Sequence, residues 1–183
     1  MYKKPETTAA LKKYNAPAIP IYTNKETLDD VASRFNYFFV PVKEGGGHAK
    51  VELIEAKNPF EFDDLKIIPV PMMHGHCKTV GWLFVEKDKN QNKKSIAYLT
   101  DCNFISDDSI NLIKENCGTL EHLVIDGLRI DSHSTHFNIL EAMGAAEKIG
   151  ANNVWITHLT HNSSHVQYEQ YIHEHLEDFP SLK

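Results

Sequence analysis

The sequence predicts an α/β protein built on a mixed sheet with helices on its faces. Two features predict this class. Between about residues 51 and 100, apolar stretches of strand length follow one another with polar turns between them, as in an antiparallel meander. From residue 106 onward, short apolar runs alternate with amphipathic segments of helix length, as in strands joined by helices. The 183 residues are 42% apolar and 24% charged, which suffices for one domain core and excludes wholesale disorder.

Pro17 to Tyr22 reads as a loop entering a short strand. Asn24 to Phe35 is a helix capped by Asn24 or Thr27, with Leu28, Val31, Ala32 and Phe35 on one face. Lys43 to His48, with its three glycines, is a flexible loop; it lacks the Lys-Ser/Thr of a phosphate-binding loop. Val51 to Ile54 is a strand. Leu65 to Pro71 is another, and its prolines place it at an edge or a strand end. Thr79 to Glu86 and Ser95 to Thr100 are strands joined by the polar turn Asp88 to Lys94. Ser106 caps a short helix reaching Glu115, and Leu120 to Ile125 is a buried strand. Phe137 to Ile149 is an amphipathic helix stopped by Gly150. Asn153 to Thr157 is a strand, and Ser164 to Phe179 is a final helix stopped near Pro180.

Composition removes several classes of function. No apolar run approaches the roughly 18 to 20 residues of a membrane span. The N-terminal stretch is charged and lacks the apolar region of a secretory signal. Net charge is −6 with no basic stripe, so a nucleic-acid partner is not expected. Three cysteines, with no CxxC pair, suit a reducing cytoplasm better than a disulfide framework. Cys77 and Cys102 lie beside candidate ligands and could be soft ligands, but they read better as small buried fillers.

Histidine is the outlier, at 11 residues, and the histidines cluster. His74, Asp101, the His133/His136 pair and His158 each sit at the end of an apolar strand or in the loop just after it. Functional groups in open sheets gather beyond strand ends. Imidazole and carboxylate are suitable ligands for Zn²⁺ or Mn²⁺. Any one of them taken alone is most often a surface, turn or cap residue. Four at equivalent places point to a metal centre. His48, His122, His165, His173 and His175 read as exposed loop or helix residues. Arg129 and His133, near the same strand end, are candidates for phosphate contacts; Arg129's fork suits phosphate oxygens, or equally an ion pair with Asp131 or Asp126. Asp126 is expected to bond nearby backbone or His136.

The stretches PVPMMHGHCKTVGW, AYLTDCNFI and LVIDGLRIDSHSTHFNILEAMGAAEKIGANNVWITHLTH resemble the metallo-β-lactamase fold. Within it, they are most similar to phosphoribosyl 1,2-cyclic phosphodiesterases and their relatives. The resemblance covers about Thr23 to His161 and implies an αββα sandwich. It implies two divalent ions, Zn or Mn, with His74 on the first, His158 on the second and Asp101 bridging. It implies His136 as proton donor to the leaving oxygen, and phosphodiester hydrolysis of a small phosphorylated substrate by metal-activated water. The family's His-x-His-x-Asp-His motif is absent from these 183 residues. The expectation is therefore a single partial domain over 1–183, without the fold's N-terminal part and last strand, completed by self-association or a complementing chain. Two other functions fit the same motifs: a transfer-RNA 3′-end endonuclease, and a non-catalytic remnant acting as an interaction module.

Overall fold

The computed structural model describes residues 17–39, 50–87 and 92–182. The expected glycine loop at 43–48, with His48, and the 88–91 part of the polar turn lie outside the described residues. The chain divides into two compact units, Met1–Lys57 and Asn58–Lys183.

In the first unit, β1 (Ile19–Thr23) pairs in parallel with β2 (Val51–Glu55). Between them in sequence, α1 (Lys25–Arg34) packs on β2. Asn24 caps it, its side chain accepting from the Thr27 amide at 2.8 Å. Lys25–Asp29 and Arg34–Asp30 pair one turn apart on its surface. Of the four apolar residues on one face, only Leu28 is buried.

The second unit is a six-stranded sheet in sequence order: β3 (Phe60–Phe62), β4 (Leu65–His74), β5 (Cys77–Lys87), β6 (Lys93–Leu99), β7 (Thr119–Asp126) and β8 (Asn153–Thr157). Pairing is antiparallel from β3 to β6 and parallel from β6 to β8. The meander and the alternating half are therefore one mixed sheet. The three-residue β3 was not legible in the sequence, since a strand so short carries no periodicity. It pairs with Leu65–Ile67, so among the described residues Pro69 and Pro71 have no strand partner on that side. A proline without an N–H is tolerated there.

Three helices cover one face. They are α2 (Asp107–Asn116), α3 (Ile139–Ile149) and α4 (His165–His175). Ser106 caps α2 as expected. Helix α3 starts two residues later than expected, because Asn138 and Glu141 form a capping box. Gly150 ends it in the left-handed region, at φ 77°. Ser164 and Gln167 cap α4, which runs into a 3-10 turn at Leu176–Asp178. Alternate strand residues meet α2 and α3 in one core: Ile68, Val70 and Met72 of β4, Leu83 and Val85 of β5, Ala97 and Leu99 of β6, Leu123 and Ile125 of β7. They pack on Ile110 and Ile113 of α2 and on Ala142, Ala146 and Ile149 of α3. Burying an aliphatic side chain contributes about 1.5–3 kcal/mol, so this layer carries most of the stability. The opposite face exposes Ile96, Tyr98 and Trp155.

Candidate metal centre

Two antiparallel steps separate β4 from β6, so these strands run in the same direction. Parallel pairing gives β7 and β8 that direction too. The C-terminal ends of β4, β6, β7 and β8 thus share one edge of the sheet. His74 is the last residue of β4, Asp101 follows β6, Asp126 is the last of β7 and His158 follows β8. Sheet topology, not sequence proximity, collects them.

His136 is the hub. Its Nε2 lies 3.0 Å from His74 Nε2, with the rings at 72°. Its ring centroid is 5.1 Å from that of His158 and 5.2 Å from that of His133. Its Nδ1 lies 2.8 Å from Asp126 Oδ2. A carboxylate only accepts, so the Nδ1 proton points at Asp126 and Nε2 faces the cluster. Asp126 is fully buried. The same Oδ2 accepts the Cys102 amide at 3.1 Å, and Oδ1 has no partner among the described residues. Both expected roles of Asp126, toward backbone and toward His136, are realised at once.

On the other side, His158 Nε2 lies 3.5 Å from Asp101 Oδ1. Asp101 and His158 hold φ of 56° and 68°, the left-handed region that side chains disfavour. Two non-glycine residues in that region at one site are the strain that functional sites retain. His74, Asp101 and His136 offer donor atoms within 4.8 Å of one another, as do Asp126, His136 and His158. Nitrogen and oxygen donors of this kind fit a divalent ion such as Zn²⁺ or Mn²⁺. An imidazole bonded through its far nitrogen to a buried carboxylate fits a metal or proton-transfer site equally.

The remaining expected residues lie in the loop before α3. His133 Nδ1 accepts from the Thr135 amide at 3.3 Å, which puts its proton on Nε2. Desolvation, then the charges of Arg129, His136 and His74, hold its pKa below the ordinary value. Arg129 forms neither expected ion pair. Nη2 donates to Ser132 O at 2.9 Å and Nε to Asp131 O at 3.4 Å, so the guanidinium ties its own loop. Cys102 is a buried filler as expected. Burial, then Asp126 and Asp101, push its thiol far up. Cys77 is exposed instead, on the turn side of β5. His122 sits on the sheet, accepting from Trp155 Nε1 at 3.1 Å. Asn103 had no signal in the sequence, because its contacts run to loops 28 and 31 residues away.

This mixed sheet, with helices on one face and an imidazole–carboxylate cluster at its C-terminal edge, shares the metallo-β-lactamase fold of solved structures. Residues 6–159 match the Beta-lactamase superfamily domain, and the chain belongs to that family. It is similar to the solved structure of a new diphosphatase from the PhnP family, with a TM-score of 0.68 and 28% identity over 87% of this chain and 55% of that one. The metallo-beta-lactamase fold protein YhfI from Bacillus subtilis shares the fold, with a TM-score of 0.59 and 18% identity over 89% of this chain and 61% of that one. A curated relative, an octanoyltransferase of Porphyromonas gingivalis, is 29% identical over 165 residues, 88% of this chain and 30% of that protein. The chain thus spans less than two thirds of each of these relatives. The expected fold class is met.

Proposed function

We propose that this chain carries the metal-binding and leaving-group-protonating part of a hydrolase acting on a phosphodiester-type bond. The observation that carries the reading is His136. Its Nδ1 is held by a fully buried carboxylate, and its Nε2 faces a cluster of further metal-type donors. Similarity to a PhnP-family diphosphatase supports a substrate with phosphorus–oxygen bonds. His74, Asp101 and His158 would hold the divalent ions, Zn or Mn. A bound ion supplies Lewis acidity at a phosphoryl oxygen and makes water a nucleophile near neutral pH.

This chain's residues do the rest. Asp126 fixes the His136 ring, so a proton on Nε2 is delivered at a set place to the departing oxygen. General acid catalysis of this kind is worth roughly 10²- to 10⁴-fold. Arg129 orders the loop of His133 and places its positive charge beside it, and both would meet the phosphate.

The test is elemental analysis of the chain purified without chelator, paired with hydrolysis of a small cyclic phosphodiester. Bound Zn or Mn is expected, lost in His74→Ala and His158→Ala. His136→Ala should keep the metal and lose 10²- to 10⁴-fold in rate. No metal, even with excess added, sinks the reading. Cleavage of precursor transfer RNA but not the cyclic phosphodiester would favour the endonuclease. One observation favours a second role for His136: it belongs to both donor groups. Loss of metal in His136→Ala would make it a ligand.

A further inference from the structure

The segment after β6 contacts Asp126, the His74 turn and the loop that carries His136. Cys102 donates its amide to Asp126, and its carbonyl accepts the Phe137 amide at 3.0 Å. Asn103 and Phe104 pair with Met73, the residue before His74: Asn103 N donates to Met73 O at 2.9 Å and Met73 N to Phe104 O at 3.0 Å. The Asn103 side chain then reaches two loops at once. Its Oδ1 accepts the Gly75 amide at 2.8 Å, and its Nδ2 donates to Ser134 O at 3.1 Å. Gly75 directly follows His74, and Ser134 lies two residues before His136.

The two bridged loops are in close contact. Gly75 has φ 61°, and a Cβ built on it would lie 2.8 Å from Thr135 Cγ2. Glycine suits this left-handed backbone, and any side chain there would have to displace the Thr135 methyl. Backbone pairing fixes Asn103 against β4, so its carboxamide is a spacer of set length. An amide that accepts from one backbone and donates to another determines their separation better than apolar contact, because hydrogen bonds are directional.

We propose that Asn103 is a positioning residue. Its carboxamide sets the separation of the His74 turn from the His136 loop, and so the 3.0 Å approach of the two imidazoles. Its effect on metal affinity rests on the functional reading above; its effect on geometry does not. Outer partners of metal ligands typically change affinity by 10- to 100-fold.

The experiment compares the full chain with Asn103→Ala and with a control, Asn116→Ala. The Asn116 side chain bonds Leu112 O within α2, away from the site. Three quantities are measured: amide hydrogen exchange, the nuclear Overhauser effect between the His74 and His136 rings, and Zn²⁺ affinity by competition with a chelating dye. In Asn103→Ala the Gly75 amide should exchange at least tenfold faster while Cys102 and Phe137 keep their protection. The ring contact should be lost and Zn²⁺ affinity should fall 10- to 100-fold, with the control within twofold of the unsubstituted chain. A retained ring contact, or a Zn²⁺ affinity equal to the control's, overturns the proposal. If the unsubstituted chain binds no Zn²⁺, the functional reading fails and the ring contact alone decides the role of Asn103. Should alanine unfold the chain, Asn103→Asp gives the same decision. It keeps an acceptor for Gly75 and loses the donor to Ser134, so an unchanged ring contact again overturns the proposal.

Discussion

Asp101 and His158 hold backbones that a β-carbon strains, and each has its side chain in the cluster. Such a residue costs roughly 1–2 kcal/mol, a cost that glycine avoids. With chelator present, Asp101→Gly should therefore be about 1 kcal/mol more stable than Asp101→Ala in urea unfolding, while neither binds metal. Equal stabilities would show that the strain at Asp101 is negligible. The cysteines give a second expectation. Cys102 has its pKa raised by burial first, then by Asp126 and Asp101. A raised value means that the stability from the neutral thiol is fully present below the ordinary value near 9.0 and is lost as pH rises above it. The urea midpoint should fall from about pH 9 upward, and less so in Cys102→Ala. In the native chain at pH 8, a thiol reagent should titrate Cys77 and leave Cys102 untouched until denaturant is added.

Among the elements, α3 matters most to the site, because its entry loop carries His133 and His136. The start of the helix is set by the reciprocal Asn138–Glu141 bonds, not by the aromatic residue that opens the apolar run. Asn138→Ala should cost about 1 kcal/mol in chemical denaturation. A loss under 0.3 kcal/mol would mean that packing of Ile139 and Met143 alone fixes the start. Strand β4 shows the same division between local and non-local causes. Its prolines were readable as an edge signal, but the short β3, which pairs with β4 only as far as Ile67, was not.

On the scale of the whole molecule, the two sheet faces differ in weight. Leu123 is fully buried beneath the helices, whereas Trp155 on the opposite face is 55% exposed. Leu123→Ala should cost about 2–5 kcal/mol. Trp155→Ser should cost under about 1 kcal/mol, although tryptophan is far larger. Comparable losses would show that the outer face is covered in solution. Metal should also act on the whole chain, since ions that bind only the folded state raise its stability. Zn²⁺ at 100 times its Kd should add about 2.7 kcal/mol, read as a rise in unfolding midpoint, and none in His158→Ala. Local chemistry determined the elements: apolar periodicity, the caps at Asn24 and Ser106, and the stop at Gly150 were all readable because their causes lie within a few residues. So was the placing of His74, Asp101 and His158 at strand ends. Tertiary structure alone decided what those ends meet. The shared direction of β4, β6, β7 and β8 brought residues up to 84 positions apart in the chain to one edge. It gave Asn103 two loops to bridge, because hydrogen bonds across 28 and 31 residues leave no periodic trace in sequence.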